Sequence, residues 1–239
     1  MNCLRSLEFI KKIDKKYRKF GLGTIIIHPP EWEFEKESNN IAYALKKHNI
    51  RFPVIIDKNK KIIKRYGIDF WPTQILIMGG KILYKHVGEG NYKALEKKII
   101  RFLQIKAKEI FNKEPVYSKF PTLYAGKRKH GKIADFKKSL KFGIVYKDCT
   151  WLQKEEFIQS VGNNNSLIIL TKGKAINLVA KSLDKKTIKV DLKIKGKLVK
   201  KIPINKPRLY NIAKLGNNKP QELKLIAKRD LAVYSFSFQ

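Results

Sequence analysis

Cysteine is nearly absent, two in 239 residues, which excludes a disulfide-stapled scaffold. Glycine (14) and proline (9) are too sparse for a collagen-like or low-complexity chain. No apolar run approaches the roughly 18 residues of a membrane-spanning helix. The first twenty residues are basic and amphipathic, without the apolar core of a secretory leader, so none is expected there. Acidic side chains are scarce too, 20 against 53 Lys and Arg, a net charge of +33. What is present suits a folded protein: 43% hydrophobic and 11% aromatic residues can bury a core. The length suits one large domain or two ordinary ones.

The charge invites a nucleic-acid or anionic-membrane reading, but both halves of the chain share it. Lys outnumbers Arg 45 to 8, and the lysines fall mostly on the polar phases of helices and strands. Arg is the residue favoured for bidentate phosphate or base readout. Nucleic acid is therefore not the expected partner.

The two halves differ in period. Leu4, Leu7, Ile10, Ile13, Tyr17 and Phe20 lie on one helix face, and Gly21 and Gly23 end that helix. Thr24–Ile27 is a β-branched run without alternation, as in a central strand buried on both faces. A helix over Asn39–His48, a strand over Pro53–Ile56 and a short helix over Lys60–Tyr66 follow. Gln74–Met78 and Lys81–Val87 form a hairpin about Gly79-Gly80, and Asn91 opens a last helix. This is an α/β layer order. Residues 106–121, charged and carrying Pro115 and Pro121, read as a linker. Beyond it about eight short strands predict an all-β sandwich. In Thr187–Ile194, residues 188, 190, 192 and 194 share one face; Leu231–Phe238 alternates as well. The expected division is 1–105, 106–121 and 122–239.

Four segments of the first domain carry a resemblance. Met1-Asn2-Cys3-Leu4-Arg5 resembles the end of a Cys-Ile-Asn-Cys-Leu-Arg redox motif at the start of a helix. His28-Pro29-Pro30-Glu31-Trp32-Glu33-Phe34-Glu35-Lys36 is similar to the loop after the next strand. Phe70-Trp71-Pro72-Thr73 resembles a cis-proline segment that faces redox cysteines, and His86–Tyr92 the turn before the last helix. Together they resemble DipZ-type proteins, relatives of the TlpA and ResA disulfide reductases. The resemblance implies an α/β thioredoxin-like domain followed by a jelly-roll-like sandwich of the carbohydrate-binding-module kind. It implies a thiol–disulfide oxidoreductase needing no cofactor or metal, with a protein thiol or disulfide as substrate. A membrane electron-donor protein is an implied partner, and the implied setting is extracytoplasmic and membrane-associated. Trp71, Pro72 and Thr73 would present backbone to the substrate.

Thiol–disulfide exchange needs an exposed, low-pKa thiolate to attack and a second thiol to resolve. Cys3 matches the second, resolving cysteine, placed where a helix dipole would lower its pKa. The attacking cysteine and the strand leading to it would precede Met1, so the domain reads as incomplete. A start assigned too late, a separately encoded segment and a decayed domain remain as explanations. Cys149, beside Trp151, reads as a small buried apolar residue. Glu31, Glu33 and Glu35 near His28 read as a solvated acidic loop rather than a metal site. Tyr124, Tyr146, Trp151, Tyr210 and Tyr234 offer either a sugar-stacking platform or core. The alternative function is accordingly a redox-inactive scaffold whose sandwich binds glycan or protein.

Overall fold

The computed structural model describes residues 2–111, 120–136, 139–215 and 219–238. The chain divides into two compact units, Met1–Tyr117 and Ser118–Gln239.

In the first unit α1 spans Asn2–Tyr17 and continues as a single tight turn, Arg18–Phe20. Gly21 ends it at φ +98, a left-handed conformation open to glycine at little steric cost. There follow β1 (Ile26–His28), α2 (Ser38–Lys47), β2 (Val54–Ile56), α3 (Lys61–Arg65), β3 (Thr73–Met78), β4 (Lys81–Val87) and α4 (Tyr92–Phe102). β1 pairs in parallel with β2, and β3 pairs antiparallel with β4. These are two separate two-stranded sheets, and no strand among the described residues joins them. The expectation that β1 is buried on both faces needs correction. All three of its residues are half-buried, and Ile25 just before it is 61% exposed. A strand paired on one side only lacks the neighbour that would cover it.

The middle of the helical stripe read from the sequence packs, at Ile10, Ile13 and Tyr17, whereas Phe20 at its end is exposed. Ile13 and Tyr17 of α1 meet Tyr92, Leu95 and Ile99 of α4 in one core, with Leu76 and Tyr84 from the hairpin against it. Phe9 stacks on Tyr92 at 4.4 Å between ring centres. Phe111, expected in the linker, is buried in the same core. A buried carboxylate holds this segment. Glu96 is fully buried and accepts the Tyr17 hydroxyl at 2.5 Å and the N–H groups of Ile110 and Phe111. Lys16 stands 3.6 Å from it. Pro115 lies outside the described residues.

The second unit is all-β. Its strands are β5 (Leu123–Tyr124), β6 (Ile133–Asp135), β7 (Val145–Lys147), β8 (Trp151–Gln153), β9 (Ile158–Ser160), β10 (Asn165–Thr171), β11 (Ala175–Ser182), β12 (Ile188–Ile194), β13 (Lys197–Ile204), β14 (Arg208–Lys214), β15 (Gln221–Ala227) and β16 (Leu231–Phe238). They form two sheets, β13-β12-β15-β10-β7-β6 and β14-β11-β16-β9-β8, with β5 added to β16. One core lies between them, built from alternate residues such as Val190, Leu192, Leu167 and Leu225 against Ile176, Leu178 and Phe236.

The alternation expected for β12 holds at Ile188, Val190 and Leu192. In β16 all eight residues are buried, and the core-facing set changes phase from Leu231 and Val233 to Phe236 and Phe238. The cause is in the pairing with β11: Val179 faces Ser235 and Ala180 faces Val233, so Tyr234 is an extra residue. A one-residue bulge swaps which face each later side chain takes.

Candidate functional site

Cys3 lies in the first turn of α1 and is half-buried. Polar contacts fasten this turn to the β3–β4 hairpin. Arg5 donates from Nε and Nη2 to the two carboxylate oxygens of Glu89, at 3.2 and 2.8 Å. Gln74 Nε2 donates to Ser6 Oγ and to the Gly88 carbonyl, both at 3.2 Å. The Gly88 N–H donates to the Pro72 carbonyl at 2.7 Å. Trp71–Pro72 is a cis peptide. Lys60 Nζ lies 5.5 Å from the Trp71 ring centre, and the Thr73 hydroxyl donates to the Phe70 carbonyl at 2.6 Å. The segment Trp71-Pro72-Thr73 thus leads directly into Gln74, whose side chain touches α1 one turn beyond Cys3.

The loop after β1 supplies the site's other half. It folds into a tight turn, Glu33–Lys36, behind a buried Trp32. Glu35 turns back, and its Oε2 accepts the N–H of Glu31 at 2.7 Å and of Trp32 at 3.4 Å. Burial pushes the Glu35 carboxyl up to about 7, and the charge of Glu31 adds to the rise, while the two N–H donors oppose it. Burial also holds His28 below the usual imidazole range.

Burial is the main cause that raises the Cys3 thiol to about 11, and the carboxylates of Glu31, Glu35 and Glu89 act in the same direction. The expected lowering by the helix dipole is therefore overturned. A half-charge at a helix N-terminus is outweighed by desolvation and three anionic neighbours.

Two other expectations change. Of the acidic trio, only Glu33 behaves as a solvated side chain, pairing with Lys36 at 2.6 Å; Glu35 turns inward. Cys149 is exposed, not buried. It lies in the turn between β7 and β8, where Asp148 Oδ1 accepts the Thr150 N–H at 3.0 Å. Of the five aromatic residues offered as a sugar platform, Tyr146, Trp151, Tyr210 and Tyr234 are buried, which leaves them no face for a ligand. The sequence reading missed Glu35, the Arg5–Glu89 pair and the Gln74–Ser6 contact. Only the Glu-x-Glu-x-Glu spacing hinted at one of them, since a tight turn aims alternate side chains differently.

The raised Glu35 makes stability depend on pH. Its folded pKa lies above the ordinary value of 4.5, so between them the folded state binds more protons than the unfolded state. Stability of the first unit is then full below about pH 4.5 and falls as pH rises toward 7, by about 2–3 kcal/mol. Glu35→Gln should remove this fall. Amide exchange of β1 and β2 measured at pH 5 and pH 8 in both proteins checks it.

A family model described as "Thioredoxin like C-terminal domain" matches residues 122–238, the all-β unit. The protein DipZ of Mycobacterium bovis is 31% identical over 97 residues, which are 40% of this chain and 14% of that protein. Thiol-disulfide oxidoreductase ResA of Bacillus cereus is 30% identical over 95 residues, 39% of this chain and 52% of ResA. The chain thus spans a seventh and a half of these two relatives. A carbohydrate-binding module CBM36, solved with calcium and xylotriose, covers 50% of this chain and 99% of its own at 17% identity and a TM-score of 0.33. Part of the chain is therefore similar to thiol–disulfide oxidoreductases, and the second unit matches the model of a thioredoxin-like C-terminal domain.

Proposed function

We propose that the protein is the resolving half of a thiol–disulfide oxidoreductase, acting on protein thiols or disulfides, with Cys3 as the resolving thiol. The observation that supports this most is the joining of Cys3's helical turn to the segment after Trp71-Pro72-Thr73, with the Glu35 carboxylate among the charges that hold the thiol up. A thiol raised to about 11 is a poor first attacker. It suits a group that stays protonated until a mixed disulfide forms next to it.

Glu35 carboxylate takes the Cys3 proton, and the thiolate attacks the attacking cysteine's sulfur in the mixed disulfide. A disulfide forms between Cys3 and that cysteine. The substrate sulfur leaves as thiolate and takes the proton from Glu35. The attacking cysteine, and a strand to bridge the sheets of β1 and β3, would come from residues outside these 239 or from a partner chain.

Insulin reduction by the protein isolated from its own cells, with whatever it carries, tests the reading. Cys3→Ser should lower the rate at least about a hundredfold, whereas Cys149→Ser should leave it unchanged. Equal activity of all three proteins would end the proposal and favour the redox-inactive scaffold.

A further inference from the structure

The second unit carries a surface that the redox reading leaves unused. β12 and β13 are joined by Lys195-Gly196, both at positive φ (+49 and +78), the geometry of a tight two-residue hairpin. β13 is the edge strand of its sheet. After this turn the alternation of buried and exposed residues is lost: Lys197 to Lys201 are all exposed, and only then do Ile202 and Ile204 turn inward. Leu198 is 51% exposed and Val199 57%. The pairing explains it. Lys193 faces Leu198 and Leu192 faces Lys200, so Val199 is the extra residue of a bulge. A bulge re-aims side chains at the end of a ladder, and here it leaves two adjacent apolar side chains in solvent.

Around them stand Lys193, Lys195, Lys197, Lys200 and Lys201, with no acidic residue in the span 193–201. Lys201 pairs with Asp191 at 2.8 Å. The other four have no ion pair among the described residues. Lysines on an edge strand also discourage pairing with another chain, but that purpose would be served better without Leu198 and Val199. A polyanion such as RNA would be met by Arg and stacking aromatics, and this hairpin has neither.

We propose that the β12–β13 hairpin docks on an anionic lipid surface, with Leu198 and Val199 entering the headgroup boundary and the lysines contacting acidic headgroups. Apolar insertion plus electrostatic attraction is the chemistry of interfacial binding, and juxtamembrane lysines each add to it.

The test uses the full chain with Cys3→Ser and Cys149→Ser, carrying a polarity-sensitive fluorophore on Val199→Cys. A control carries it on Lys186→Cys, exposed before the opposite end of β12. Each is titrated with phosphatidylcholine vesicles, with and without phosphatidylglycerol. The Val199 probe should shift to the blue and escape an aqueous quencher on the phosphatidylglycerol vesicles alone, while the Lys186 probe stays in water. In unlabelled protein, Leu198→Ser should weaken partitioning about tenfold. Binding that leaves the Val199 probe as quenchable as the control would mean that bulk charge alone is responsible. A shift of the same size on RNA or heparin would assign the hairpin to polyanions instead; either result overturns the proposal.

Discussion

Alkylation of Cys3 by iodoacetamide is expected to be slow at pH 7 and to rise about tenfold per pH unit until about pH 11. The thiolate is the reactive species, and burial with three neighbouring carboxylates raises this thiol to about 11. Against an ordinary thiol near 8.5, its thiolate is roughly 300-fold rarer at neutral pH. A more basic thiolate is also more nucleophilic, with a Brønsted slope of about 0.4–0.5, which leaves Cys3 roughly twentyfold slower. Glu35→Gln removes one of the anions. It should speed the reaction at pH 8, where Glu35 is mostly ionised, and change little at pH 5. Mass spectrometry of the Cys3 peptide after timed quenching reads the profile. A midpoint near 8.5, or no response to Glu35→Gln, would show that these carboxylates do not act on the thiol.

Glu96→Ala should destabilise the first unit by about 3–5 kcal/mol. The Glu96 carboxylate is fully buried and takes hydrogen bonds from Tyr17, Ile110 and Phe111, with Lys16 at 3.6 Å. Its removal leaves two backbone donors and a phenol without their acceptor, and a cavity beside them. Breaking such a network by deleting one partner costs far more than the network's net worth. The segment at 105–111 should loosen first, because Glu96 is what fastens its backbone to α1 and α4. Urea unfolding followed by amide exchange at Ile110 and Phe111 tests both the size and the order. An unchanged midpoint would mean that apolar packing of Phe111 alone holds the segment.

Much of the fold was legible because its elements follow simple periods. Ile10, Ile13 and Tyr17 of the Leu4–Phe20 stripe became the packed face of α1, and the Gly79-Gly80 hairpin, the cis Trp71–Pro72 segment and the β12 alternation lie where the sequence indicated. The failures occur where one residue changes the phase or where a tertiary contact decides. Bulges at Tyr234 and Val199 cannot be seen in a pattern of strict alternation, because the extra residue is defined by the opposite strand. Glu35 looked like a solvated acid because its capture by two backbone N–H groups depends on how the 31–35 loop folds. Cys149 looked apolar and buried by residue type, yet a turn set by Asp148 places it in solvent. Of the candidate site, Cys3 and Trp71-Pro72-Thr73 could be named from the resemblance, whereas the capture of Glu35 by two backbone N–H groups could not.

The most direct test of the redox role is to find what Cys3 bonds to. The protein would be isolated from its own cells under acid quench, equilibrated at a series of thiol–disulfide potentials, alkylated and digested. The account expects Cys3 in a disulfide with a cysteine outside these 239 residues under oxidising conditions, reverting to the free thiol as the potential falls. Cys3 remaining a free thiol at every potential, with only the exposed Cys149 responding, would contradict it.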